Sequence, residues 1–243
     1  MSSAAPAGPD PERTGLVLSL FPWIGLLDMA FEEEGFCVVH GPNLLWSDDV
    51  KRFSPPSGHF VGVIGGPPCQ KYGGLANFQW RWKVKPEHLI PEYERVVAAS
   101  APAWFLMENV PAAPRPDVPG YIVTDTLLNN RWLGEEQDRA RRFCFGTREG
   151  RRLVVQFAAL EAIDYERTLT SAHGGGRPRM KGRMECYPVP RALELQGLPA
   201  DFFGHNSPLS TQGKRKVLAQ GVPLPMGRAI ARAVKTALAR SAA

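Results

Sequence analysis

"FVGVIGGPPCQ" (residues 60–70) decides the reading of this chain. Phe60–Ile64 is a short apolar run, the pattern of a buried strand. Two glycines and two prolines then end it, because proline cannot donate to a strand ladder. A strand stopped this abruptly delivers the next residue to its end, and that residue is Cys69. A lone cysteine is ordinarily a small core hydrophobe. Behind a rigid Pro-Pro turn it reads instead as a thiol placed to act as a nucleophile once deprotonated.

Working outward, "GLVLSLF" (15–21), "FCVVH" (36–40) and "AWFLMEN" (103–109) repeat the buried-strand pattern. "LLDMAFEEEGF" (26–36) has helical spacing with Gly35 suited to its end, and "EHLIPEYERVVAASA" (87–101) is helical despite Pro91. "YIVTDTLLN" and "RRFCFGT" are later strands, "VPRALELQGLPADFF" is a helix and turn, and "PMGRAIARAVKTALAR" (225–240) is an amphipathic helix, basic on one face. Strand–helix–strand spacing predicts βαβ units, hence an α/β fold with a mostly parallel sheet. Function in such sheets gathers at the carboxyl ends of the strands. "FPWIG", "PPCQ" and "ENV" each stand at such an end, so three loops face one crevice.

The chain has 243 residues, 44% of them hydrophobic, enough for one domain with a core and a small appendage. It has no apolar run of about 18 residues, so no membrane span is expected. Residues 1–14 read as a disordered tail without a secretory pattern. The four cysteines show no CxxC spacing, so neither a disulfide framework nor a metal site is expected, and a reduced cytoplasmic setting is the default. A net charge of +5 fits a polyanionic partner. "HGGGRPRMKGR" (173–183) concentrates Arg177, Arg179, Lys181 and Arg183 without an acid. It reads either as a solvated loop or as a phosphate contact.

Two further features carry chemistry. Glu108 ends a buried strand, and a partly buried carboxyl can keep its proton and donate a hydrogen bond. Arg139 and Arg141 alternate at strand period before a core strand, which directs them toward an anion or a base edge.

F-P-x-x-G, G-G-P-P-C-Q, E-N-V, Q-x-R-x-R and R-A-L-E-L-Q-G-L-P, in this order from about Leu16 to Val234, resemble the DNA (cytosine-5-)-methyltransferase family. The resemblance implies a Rossmann-like methyltransferase fold with a small irregular C-terminal subdomain. It also implies S-adenosylmethionine as methyl donor and double-stranded DNA as substrate. On that pattern Cys69 attacks C6 of a flipped cytosine, Glu108 holds N3, and Arg139 and Arg141 assist at O2 and steady the loops. Phe21, Pro22, Trp23, Ile24, Gly25 and Leu26 match the cofactor loop. Asn43 stands where the ribose acid is usual, Asp49 matches the adenine contact, and Pro67 and Leu89 are weaker matches. Gln70 and Lys71 fall on the DNA side, with the four basic residues of 173–183.

The implied organisation is a catalytic core over 15–147, a short target-recognition insert over 148–190, and a segment over 191–243 that returns to the core. So short an insert predicts a short or relaxed target. The expected protein is a monomer in a bacterial or phage-infected cell. Four departures stand out: Trp23 for a glycine, "KYGG" (71–74) after P-P-C-Q, Ala219-Gln220 for Gly-Asn, and Asn43 for the acid. They keep open a catalytically weakened relative that binds DNA or a partner. A tRNA cytosine-5 methyltransferase is a second alternative. A nicotinamide- or flavin-binding protein is disfavoured by the lack of G-x-G-x-x-G.

Overall fold

Strand β1 (Leu16–Leu20) is the pivot of a six-stranded sheet. The computed structural model describes residues 15–43, 48–68, 72, 87–158, 165–170 and 187–239. Helix α1 (Leu26–Glu33) leads from β1 to β2 (Cys37–His40), and β3 (Phe60–Gly65) then pairs on the opposite side of β1. Helix α2 (Ile90–Ser100) leads to β4 (Trp104–Asn109), parallel to β3. Next come β5 (Ile122–Asn129), the two-residue β6 (Gln137–Asp138) and β7 (Ala140–Thr147). Strand β7 inserts between β4 and β5, antiparallel to both, giving the order β2-β1-β3-β4-β7-β5. A two-residue strand β8 (Glu166–Arg167) pairs with β6. The chain closes with α3 (Val189–Leu195), α4 (Thr211–Gln220) and α5 (Leu224–Ala239).

Alternation along the strands divides the core between two faces. Val17, Ile64, Leu106, Phe143 and Phe145 meet α5 and Phe31 of α1 on one face. Leu18, Val63, Phe105 and Met107 meet Tyr93, Val96 and Val97 of α2 on the other. A third cluster joins Leu26 and Ala30 of α1 to Leu193, Leu195, Leu218 and Leu224, which fastens the C-terminal helices to the sheet layer.

Pro91 lies in the first turn of α2, where no helical donor is needed, so the helix tolerates it. The basic face of α5 is docked on the acidic end of α1. Arg228 binds both Glu33 oxygens at 2.5 and 2.9 Å, and Arg232 reaches Glu34 at 2.6 Å. Helix α4 was not legible in the sequence. "TQGKRKVLAQ" lacks apolar periodicity before Val217, and the helix starts because Ser210 Oγ accepts from Gly213 N at 3.1 Å.

Trp104 is the largest fully buried side chain among the described residues, with ring centroids 6.2 Å from Phe31, 5.9 Å from Phe36 and 6.2 Å from Phe145. Trp104→Ala is expected to cost about 3–5 kcal/mol of unfolding free energy, measured by urea denaturation, because the cavity cannot collapse around three fixed rings.

Candidate active site

Strand β2 pairs on one side of β1 and β3 on the other, so the chain reverses its direction of travel across the sheet there. The crevice beyond the carboxyl ends of such strands is the expected ligand position. A cleft of about 380 Å3, measured out to open solvent, lies there. Its walls are Phe21–Trp23 and Leu26 after β1, Gly65–Gly66 at the end of β3, Glu108 of β4, and Gln220–Val222 before α5. Ser19, Leu20, Leu27 and Asp28 complete it.

The loop after β1 is bent hard. Phe21 (φ 59°), Trp23 (φ 52°) and Gly25 (φ 74°) all take left-handed backbone, and Gly25 N closes a turn onto Pro22 O at 2.7 Å. Two bulky residues in that region store roughly 1–3 kcal/mol each. The usual glycine at position 23 therefore has a backbone reason as well as a steric one. Asn43 Nδ2 donates to Trp23 O at 3.4 Å and helps hold the bend.

The two glycines of the quoted stretch have a packing reason. A Cβ on Gly65 would stand 2.6 Å from Leu20 O, and one on Gly66 would stand 2.8 Å from Glu108 Oε2. Strand β3 thus reaches its end with backbone pressed between a neighbouring carbonyl and a carboxylate. Glu108 Oε1 forms an ion pair with Arg141 Nε at 2.7 Å, both side chains being largely buried. Oε2 is then the oxygen that lies over Gly66. Asn109, also buried, donates from Nδ2 to Pro67 O at 3.0 Å and ties β4 to the Pro-Pro turn.

Arg139 departs from the expectation. It does not share an open face with Arg141. It is 1% exposed, and its guanidinium donates to Leu169 O at 3.1 Å, Ala219 O at 2.9 Å and Gly221 O at 3.0 Å. Three carbonyls converge on the one fork of donors that can serve them together. Arg139 therefore fixes the Gln220–Val222 wall rather than facing the cleft.

Of the other residues marked from sequence, Ile24, Gly25, Asn43, Asp49 and Pro67 are not on the cleft wall. Ile24 packs into the third cluster. Asp49 caps a 3-10 turn (Val50–Arg52) by accepting from Lys51 N at 3.0 Å. Leu89 is buried at the start of α2. Cys69, Gln70, Lys71, Arg177, Arg179, Lys181 and Arg183 lie outside the described residues.

Asp28 was missed. It is 2% exposed, accepts from Ser19 Oγ at 2.6 Å, and has His40 Nε2 3.0 Å from Oδ2. That second contact has ion-pair distance without hydrogen-bond alignment. Burial pushes the carboxyl up to about 6, against the opposing pull of Ser19 and His40. The available signal was a lone acid inside the apolar run "LLDMAF". Gln220 Oε1 is also buried, with no hydrogen-bond donor among the described residues. An orphaned acceptor in this wall suits a ligand that brings N–H or O–H groups.

The family model for C-5 cytosine-specific DNA methylases matches residues 47–173, just over half of the chain. Type II methyltransferase M.NgoPII of Neisseria gonorrhoeae is 25% identical over 201 residues, covering 70% of this chain and 58% of that protein. Type II methyltransferase M.MthTI of Methanothermobacter thermautotrophicus is 30% identical over 171 residues, covering 58% of this chain and 51% of that protein. The chain thus spans between about half and six-tenths of the length of these curated relatives. Among solved structures, the Entamoeba histolytica methyltransferase EhMeth superimposes with a TM-score of 0.60 at 11% identity, covering 96% of this chain and 100% of that one. The likeness establishes a Rossmann-like methyltransferase fold.

Two expectations follow from the geometry. Gly66→Ala forces the Glu108 carboxylate off its position, so ligand-dependent activity is expected to fall at least tenfold while the urea midpoint shifts little. Protonated Asp28 is favoured in the folded chain, so its share of stability is present near pH 4 and declines as pH rises toward 6. The unfolding free energy of Asp28→Asn relative to the unmodified chain is expected to rise across that window, by at most about 3 kcal/mol.

Proposed function

This chain belongs to the C-5 cytosine-specific DNA methylase family, and we propose that it transfers a methyl group from S-adenosylmethionine to C5 of cytosine in DNA. One observation carries the reading: a single cleft joins the left-handed loop after β1 to the Glu108 carboxylate, at the strand end that leads into P-P-C-Q. The residues suit the donor. The 21–23 backbone and Gln220 offer polar groups, Phe21 offers a ring face, and Asp28 offers negative charge near a cationic ligand. The bound donor supplies an electrophilic methyl group.

The chain's own residues have the remaining tasks. Cytosine C5 is a weak nucleophile until a thiolate adds to C6. Cys69 supplies that thiolate, and the electron pair displaced from the C5–C6 bond makes C5 reactive. Glu108 meets the N3 edge through Oε2, while Arg141 holds Oε1 and keeps the carboxyl in one rotamer. Asn109 fixes the turn that carries Cys69. When water acting as a base removes the C5 proton, the sulfur–C6 bond breaks and the thiolate returns. Arg139 steadies the 219–221 wall.

One observation favours a second reading, a catalytically weakened relative that keeps DNA or partner binding. Trp23 fills the cleft wall in a strained backbone conformation, where a smaller residue would leave room. Calorimetry separates the two. Adenosylmethionine binding with methyl transfer to a cytosine-containing duplex supports the enzyme, and DNA binding without either supports the weakened relative. Competition between duplex DNA and tRNA fixes the substrate.

Cys69→Ala is expected to abolish turnover and the covalent complex with 5-fluorocytosine DNA while leaving the thermal midpoint unchanged. Unaltered turnover would refute the mechanism. Neutralising Arg177, Arg179, Lys181 and Arg183 together is expected to weaken binding about equally across target sequences, with a shallower salt dependence. A loss confined to one target would show that they read bases.

A further inference from the structure

Four side chains at the rim of the sheet remain unexplained by the methyl-transfer chemistry. They form two pairs. The Arg131 guanidinium lies 4.0 Å from the centroid of the Tyr165 ring. Trp132 and Phe157 meet edge to face, with centroids 5.8 Å apart and planes at 89°. The three aromatic residues are 36%, 49% and 58% exposed for Trp132, Tyr165 and Phe157 respectively. Aromatic side chains of this size are normally core residues, and several left together in water mark an interaction surface.

Their place in the fold is fixed by strand register. Arg142 of β7 stands opposite Asn109 of β4 on one side and Leu127 of β5 on the other. Strands β4 and β5 therefore point the same way, and residue 127 is level with residue 109. The 3-10 turn that carries Arg131 and Trp132 (Asn130–Leu133) follows directly, on the edge of the sheet that bears Glu108. Ala158 N donates to Trp132 O at 2.9 Å, which brings Phe157 to the same turn. Two strand spacings separate β4 from β5, about 10 Å. Stacked nucleotides rise about 3.4 Å per step, so this is the span of roughly three nucleotides.

We propose that Arg131, Trp132, Phe157 and Tyr165 form a stacking surface for nucleotides of the polynucleotide substrate that lose their pairing beside the flipped base, a few positions from the reacting cytosine. The inference rests on the polynucleotide reading given above. Charge and shape select this partner. Arg131 has no carboxylate partner among the described residues, so the guanidinium over the Tyr165 ring keeps its charge unneutralised. A nucleotide brings both a π-face for the aromatic rings and a phosphate for the guanidinium. An apolar protein surface answers only the rings.

The test uses the full chain and fluorescence anisotropy with a labelled single strand of about 20 nucleotides and the matching duplex, each at several salt concentrations. Trp132→Ala/Phe157→Ala is expected to weaken single-strand binding about tenfold, more than duplex binding, with the salt slope unchanged, because stacking releases no counterions. Trp132→Phe/Phe157→Tyr, which keeps two rings, is expected to retain affinity. Arg131→Gln is expected to weaken binding and also flatten the slope. A loss below threefold in the double alanine variant, with its thermal midpoint unchanged, overturns the proposal. So does dissociation of a dimer by that variant in sedimentation equilibrium while oligonucleotide affinity stays intact, since the patch would then join two copies of the chain. Failure of the unmodified chain to bind either oligonucleotide sinks the polynucleotide reading itself, a result distinct from the other two.

Discussion

The close approach of backbone and carboxylate at Gly66 governs the site. Strand β3 ends with no side chain at 65 or 66, so its backbone can lie against Leu20 O on one side and Glu108 Oε2 on the other. Any Cβ there would push the acid aside or pry β3 from β1. Arg141 then binds the other carboxylate oxygen from the antiparallel neighbour, and Asn109 anchors the Pro-Pro turn from β4. Three strands thereby fix one carboxylate and the start of one turn. The precision is that of the sheet, whose register cannot slip without turning every buried side chain outward.

Buried polar groups do the corresponding work on the far wall. Arg139 ties the 169 segment to residues 219 and 221 through three carbonyls, and Gln196 Nε2 donates to Leu218 O at 2.5 Å. Removing a partner from such a network leaves unsatisfied groups in a dry interior, which costs more than the bonds themselves contribute. The wall that carries Gln220 is therefore held against the sheet layer by hydrogen bonds as well as by the apolar contacts of α4 with α1. The Ser19–Asp28–His40 group performs a similar task at the ends of β1 and β2. It places a carboxyl with altered proton affinity beneath a loop that already stores backbone strain.

These features divide the cleft into a rigid side and an adjustable one. Glu108, Arg141 and Asn109 stand on strands, with Arg141 paired to Glu108 and Asn109 bonded to Pro67 O. The loop after β1 holds Phe21 and Trp23 in left-handed backbone, a conformation retained only because its surroundings enforce it. The departure at Trp23 thus falls on the side of the cleft with stored strain, and the acid that would grip a base stands on the other.

Local sequence determined the six strands of the main sheet, four of the helices and the carboxyl-end position of the site loops. Apolar runs such as "LVLSL" and "WFLMEN" must be buried, and Gly-Gly-Pro-Pro cannot continue a strand. The family was legible for the same reason, since its motifs are strand-end loops whose chemistry needs fixed residue types. Helix α4 escaped because its start depends on a cap rather than on periodicity, and Asp28 escaped because an acid on an apolar helix face gains meaning only beside Ser19 and His40. Arg139 and Arg141 show the limit most clearly. Two residues apart in one strand-like run, they looked equivalent. Only the packed fold decided that one meets a carboxylate and the other three carbonyls, because a guanidinium's partners are brought to it from segments as much as 82 residues away.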